Sequence, residues 1–322
     1  MAQANVVRIS QFNKLSEDLE AAVRAFLSYC RAKNLSVCTT DYYHFRLKAF
    51  QKFLGATAPA ARPKDITPQI VRDFLTLETE ENSASTASHS YITLRAFFNF
   101  LTNDGFLPES PMGSVQRPKQ RRTVINTFTL QQIEAVLATC QKDFAGTRDR
   151  AMILVMLDCG LRVSELCGLA LDDVNWAEQT MLVVGKGDVE RIVPFGNTTR
   201  QALTHYLARR GQLDTGSLFV SVYAGPIDRY RVRRIIQARC EKVGMTGVRC
   251  SPHTLRHTCA VQFLRNGADV FSLQKLLGHR DLLMTRRYAE LSQTDVQQKH
   301  RLYSPADRLQ GAQGAKGRKQ LR

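Results

Sequence analysis

Six side chains in the second half of the sequence could do chemistry on an anion: Arg162, Lys186, His253, Arg256, His279 and Tyr288. Pro252 suits the first position of a helix, and His253 and Arg256, three residues apart, then share one face and can both point at one negative group. Arg162 follows Gly160 and Leu161 and leads into a helix beginning Val163, Ser164, Glu165 and Leu166. Lys186 occupies the turn Gly185, Lys186, Gly187, Asp188, which has lysine and glycines but is not a nucleotide-binding loop. That loop needs a glycine six residues before the lysine and Ser or Thr after it, where Thr180 and Gly187 stand. His279 sits just past the glycine stop Leu276, Leu277, Gly278, and Tyr288 lies nine residues further on. Taken singly, each has an ordinary structural reading: a solvated hairpin lysine, a helix-terminal histidine, a tyrosine at the rim of a core. Metal chemistry is not expected, because no Asp/Glu group has the spacing of a two-metal site and the eight cysteines include no Cys-x-x-Cys pair. The cysteines are expected to be reduced core thiols, and no cofactor is implied.

The elements that must hold these residues can be traced by periodicity. In the first third, Leu15, Leu19, Ala22, Val23, Phe26 and Leu27 form one helical stripe, and Tyr42, Phe45, Ala49, Phe50, Phe53 and Leu54 form a second. Thr67 and Pro68 begin a third helix burying Ile70, Phe74 and Leu77, and Tyr91, Leu94, Phe97, Phe98 and Leu101 mark a fourth ending near Gly105. Four such helices with short connections predict an all-α bundle over residues 12–110. Residues 111–123 hold two prolines, a glycine, Arg117, Lys119, Arg121 and Arg122 with no acid, the composition of an exposed basic linker. That linker is either a solvated connection or a strap along a phosphate backbone.

The region 124–305 opens on Thr129 and Gln132, spaced as a capping box, and continues in a helix from about Arg148 to Cys159 that stops at Gly160. Residues 180–184 and 189–193 flank the Lys186 turn as one β-hairpin in a mostly helical domain. Helices resume near Thr198, and another begins near Asp269. Residues 306–322 are expected to form a basic, flexible tail.

At 322 residues the chain favours two domains, with a hydrophobic share of 43% and a charged share of 23% that exclude general disorder. The 45 Lys+Arg outnumber 29 Asp+Glu by 16, so a polyanionic partner is expected, either nucleic acid or an acidic membrane surface. No apolar run is long enough to span a membrane and the start lacks a secretory pattern, so a cytoplasmic protein is expected, nucleoid-associated where its polyanionic partner is DNA.

In order and spacing, five blocks resemble the tyrosine recombinase family of phage integrases and Xer-like proteins: GLRVSEL at 160–166, GKGDVERIVP at 185–194, SPHTLRHT at 251–258, LLGH at 276–279 and RRYAEL at 286–291. The resemblance carries the family's site onto Arg162, Lys186, His253, Arg256, His279 and Tyr288, with Glu165 as the supporting acid. It implies a mainly α fold, with an N-terminal four-helix SAM-like core-binding domain and a mostly helical C-terminal catalytic domain with a small β-hairpin or sheet. The implied activity is cleavage and rejoining of double-stranded DNA through a 3′-phosphotyrosyl link. The implied assembly is a homo-tetramer on two recombination sites, with residues 292–305 as the segment passed to a neighbour. DNA-bending or directionality proteins could assist.

The physical chemistry is consistent with that site. A phenol of pKa near 10 is phenolate in only about one molecule in a thousand at pH 7, a gap of about 4 kcal/mol that cations or a proton acceptor must close. In these roles Arg162 and Arg256 grip phosphate oxygens and His279 is a third donor. His253 could accept the tyrosine proton, and Lys186 protonates the departing 5′ hydroxyl. Glu165 orients Arg162 or His253. A mobile-element integrase is the favoured role, with Xer-type chromosome or plasmid dimer resolution, a type IB topoisomerase and a non-catalytic DNA-binding regulator as alternatives.

Overall fold

Capped amphipathic helices build the first part of the chain. The computed structural model describes residues 15–119, 126–185 and 187–278, and the chain divides after Thr123 into two units, each with its own core. In the first, helix α1 (Leu19–Ala32) is capped by Asp18, whose carboxylate accepts from the N–H groups of Glu20 and Ala21, and it buries Ala22, Val23, Phe26, Leu27 and Cys30. Helices α2 (Val37–Thr57), α3 (Pro68–Glu81) and α4 (Ala84–Asn103) start on the hydroxyl caps Ser36, Thr67 and Ser83. Their core is aromatic: Phe26 meets Phe97 edge-on at 5.6 Å between ring centres, and Phe50 meets Phe74 at 5.0 Å. Each such ring, fully buried, contributes about 1.5–3 kcal/mol.

Two stripes differ from the sequence reading. The inward line of α2 runs through Tyr43, Leu47, Phe50 and Leu54, steps of four, three and four; Phe45 falls off it, is 63% exposed, and packs its ring against the Arg46 guanidinium at 5.1 Å. In α3 the buried set is Val71, Phe74, Leu75 and Glu78, with Ile70 and Leu77 at its edge. Glu78 is held by Ser90 Oγ at 2.8 Å and Arg46 Nη1 at 3.2 Å. Residues 111–119 are also not wholly an exposed linker. Met112 and Val115, three apart, are buried in the helical core, and Arg117 Nε donates to the buried Ser88 Oγ at 2.6 Å.

The second unit is assembled around α6 (Phe144–Cys159), which follows α5 (Leu130–Ala138). The capping box of α5 is formed, with Thr129 N donating to Gln132 Oε1 at 2.9 Å and Gln132 N to Thr129 Oγ1 at 3.1 Å. Helix α6 begins earlier than Arg148 because Asp143 caps it, accepting from Gly146 N at 2.7 Å. Next come the short α7 (Val163–Gly168) and a three-stranded antiparallel sheet, β1 (Val174–Asn175), β2 (Thr180–Val184) and β3 (Glu190–Pro194), in the order β1-β2-β3. The hairpin is therefore one residue offset in its second strand and gains a third strand, too short to carry an alternation. Helices α8 (Asn197–Arg210), α9 (Arg229–Glu241), α10 (Pro252–Arg265) and α11 (Val270–Leu277) complete the described residues, and α6 packs against α8 and α10. The fold is mostly helical with a small sheet. No helix among the described residues is long and apolar enough to cross a membrane.

Candidate active site

The site grows from the end of α6. Gly160 terminates that helix in the left-handed conformation, φ 60°, and a Cβ there would stand 2.6 Å from Leu277 Cδ2 and 3.1 Å from Cys259 Sγ. Only glycine allows both the turn and this close approach to α10 and α11. Two residues later Arg162 caps α7. Its backbone N–H donates to Glu165 Oε2 at 2.8 Å and its Nη1 to Glu165 Oε1 at 2.7 Å. The Glu165 side chain is 2% exposed and that of Arg162 39%, so the carboxylate lies beneath while the guanidinium tip reaches solvent.

Helix α10 brings the second arginine. Ser251 caps it, accepting from Thr254 N at 3.2 Å, and Pro252 opens it, so His253 and Arg256 fall on one face as their spacing predicts. Arg256 is buried: Nη1 donates to Gly160 O, Nη2 donates to Leu277 O at 2.7 Å, and Nη1 lies 4.0 Å from Glu165 Oε2. His253 keeps an exposed face, while its ring meets that of His257 edge-on at 4.1 Å between centres. Crowding by protein, then the positive charges of Arg256, Arg249 and Arg162, hold its pKa below the usual imidazole value.

A residue the sequence reading passed over completes the carboxylate's surroundings. Arg191 on β3 donates Nη1 to Glu165 Oε1 at 3.0 Å and Nη2 to Oε2 at 2.8 Å, and its Nε donates to Leu276 O at 3.2 Å. Its strand face becomes clear only in the fold: in β3, Ile192 is 70% exposed while Val193 is fully buried, and Arg191 shares the inward face with Val193. An inward-facing charge requires a partner. Burial pushes the Glu165 carboxyl pKa up, but the bonds from Arg191, the Arg162 backbone and the Arg162 guanidinium outweigh it, and the group titrates below its ordinary range.

The structure thus gathers Arg162, Glu165, His253 and Arg256. Lys186, His279 and Tyr288 lie outside the described residues, as do Arg121, Arg122 and the segment 292–305. Their approaches are visible. Gly185 N donates to Val189 O at 2.8 Å, Gly187 and Asp188 turn with φ 79° and 54°, and Gly278 closes α11 with φ 62°. Arg117 and Lys119 are exposed in the first unit. Among the described residues, three guanidiniums around one carboxylate leave a net positive cluster in which Arg162 is an exposed donor, suited to an oxyanion. Beneath it, burial raises the Cys259 thiol to about 12 and raises Cys159 as well, so both serve as packing atoms.

Residues 126–295 match the phage integrase family and residues 23–105 the phage integrase N-terminal SAM-like domain. Over 280 residues the chain is 33% identical to tyrosine recombinase XerC of Pelobacter propionicus, covering 86% of this chain and 92% of that one. A lambda integrase dimer bound to a COC′ core site has the same fold, with a TM-score of 0.74 at 19% identity over 88% of this chain and 80% of that one. A lambda integrase tetramer bound to a Holliday junction aligns with a TM-score of 0.70, also at 19% identity, over 82% and 77%. With its catalytic half matched and most of its length aligned to a curated recombinase, the chain belongs to the phage integrase family of tyrosine recombinases.

Proposed function

We propose that this enzyme is a site-specific DNA recombinase of the Xer type, which resolves chromosome or plasmid dimers. The observation that carries the chemistry is the convergence of Arg162 and Arg256 on Glu165, with His253 one turn from Arg256. A phosphodiester placed over Arg162 would meet guanidinium donors whose positions are fixed before it arrives, so little reorganisation opposes the buildup of charge on a fifth oxygen at phosphorus. Tyr288 attacks phosphorus, the bond from phosphorus to the 5′ oxygen breaks, and Lys186 supplies the proton that oxygen takes. His253 accepts the phenol proton, and His279 is a third donor to the phosphate. The product is a 3′-phosphotyrosyl link and a free 5′ hydroxyl. Attack by a 5′ hydroxyl from a second duplex reverses the step and releases the tyrosine, so bond energy is kept through the exchange.

We favour the Xer-type role over a mobile-element integrase because a relative matched over 92% of its length is a XerC. Double-stranded DNA and a homo-tetramer holding two sites are the partners this reading requires; the lambda integrase tetramer on a Holliday junction supports it. Arg117, Lys119, Arg121 and Arg122 are then candidates for backbone contacts beside the duplex. Deleting the gene in its source cell tests the role: dimeric chromosomes or plasmids should accumulate. Normal partition combined with loss of excision of a neighbouring element would instead favour the integrase.

A further inference from the structure

Glu165 has two oxygens and no water-exposed side to satisfy them. Among the described residues four N–H groups do so: the backbone and Nη1 of Arg162, and the two Nη groups of Arg191. Arg191 therefore supplies two of these four hydrogen bonds, as a two-pronged fork. It also reaches two other chain segments. Its Nε holds Leu276 O in the last turn of α11, and a Cβ on Gly278 would stand 3.0–3.2 Å from its Cδ, Nε and Cζ. Nearer its tip, a Cβ on Gly185 would lie 3.6 Å from Arg191 Nη1 and 3.7 Å from Glu165 Oε1. The side chain thus lies close to the backbone leading into residue 186 and is bonded to the backbone leading into residue 279.

We infer that Arg191 is a positioning residue for strand cleavage: by saturating Glu165 it keeps Arg162 available to the phosphate, and by gripping Leu276 it fixes the chain that leads to His279. The inference rests on the recombinase reading. Its physical basis is competition for lone pairs. Without the Arg191 fork, two acceptor sites of a buried carboxylate are left open, and among the described residues the half-exposed Arg162, already bonded to it, is a flexible donor able to fill them. Arg162 would then turn its remaining N–H groups inward, away from substrate. Lysine at position 191 keeps the charge but has neither the fork nor a separate donor for Leu276 O.

The test uses the full-length protein and a pool of nicked duplexes of random sequence. Wild type first selects its own substrate from this pool by covalent capture. On that duplex, R191K and R191Q are compared with wild type for thermal melting, DNA affinity and single-turnover adduct formation at saturating protein, each with and without E165Q. R191K is expected to fold and bind as wild type does but to form adduct about 100-fold more slowly, the scale of loss from a slight misplacement of reacting groups. In the E165Q background the same substitution should cost only a few-fold, since it acts through that carboxylate. R191Q carries the same comparison if R191K does not melt cooperatively. Adduct formation by R191K at the wild-type rate, or the same loss in both backgrounds, overturns the assignment. Loss of folded protein with an unchanged rate per folded molecule marks a structural role and overturns it too. If wild type captures no duplex, the recombinase reading itself fails, and this inference with it.

Discussion

The guanidinium of Arg256 donates to the carbonyl of Gly160, so the helix that carries His253 is fastened to the turn that presents Arg162. The same guanidinium holds Leu277 O at 2.7 Å, tying in the end of α11. One buried cation thus fixes three segments that approach the site from separate stretches of sequence.

Arg256→Ala should therefore be costly to stability as well as to activity. It strips donors from two carbonyls that bury against it, and unfolding in urea should show a loss of about 2–4 kcal/mol. Arg162→Ala should cost less, about 1–2 kcal/mol, because that side chain is 39% exposed, although its loss opens an acceptor site on the buried Glu165. Both variants should lose adduct formation.

Gly160→Ala combines two penalties. An L-residue in the left-handed region costs about 1–2 kcal/mol, and the added Cβ at 2.6 Å from Leu277 Cδ2 forces a shift in the last turn of α11. A drop in the thermal midpoint is expected, with cleavage impaired beyond what the folded fraction explains.

The Glu165 carboxyl titrates below its ordinary range in the folded state. Between the folded and unfolded values the unfolded chain binds more protons, so this group's stabilisation is complete above the ordinary carboxylate pKa and is lost as pH falls through the lowered one. In acid titrations of stability, E165Q should remove that part of the slope. An unchanged slope would mean that the carboxylate is not the charge holding the cluster.

His253 faces Arg256, Arg249, Arg162 and the ring of His257, and its lowered pKa leaves it neutral at pH 7, able to accept a proton. Single-turnover adduct formation should hold as pH is reduced past 6.5, the ordinary imidazole value, and fall only below it. The same shift makes the folded state lose His253-linked stability as pH drops below 6.5, since the unfolded histidine protonates first. H253Q should abolish the acid limb of the rate profile.

Much of the framework was legible because caps and stops are local. Thr129 with Gln132, Thr67 with Pro68, Gly160 and Gly278 mark helix ends whatever the tertiary context. Which face turns inward was less legible: Phe45 and Leu47 are both apolar, and only packing against α1 and α4 selects Leu47. The two-residue strand β1 has too little length for a period. The motif residues Arg162, Glu165, His253 and Arg256 stood out through their order along the chain. Arg191 did not, because its partner lies 26 residues away, and a charged residue in a hairpin reads as solvated until its strand face is known.

The account depends on a covalent bond between Tyr288 and DNA. The most direct measurement is mass spectrometry of the peptide containing residue 288 after incubation of wild type, Y288F and R162A with the captured nicked duplex. Wild type should yield a peptide carrying a nucleotide 3′ phosphate on Tyr288, with Y288F and R162A yielding none. Cleavage by Y288F at the wild-type rate, or an adduct mapped to a different residue, would contradict it.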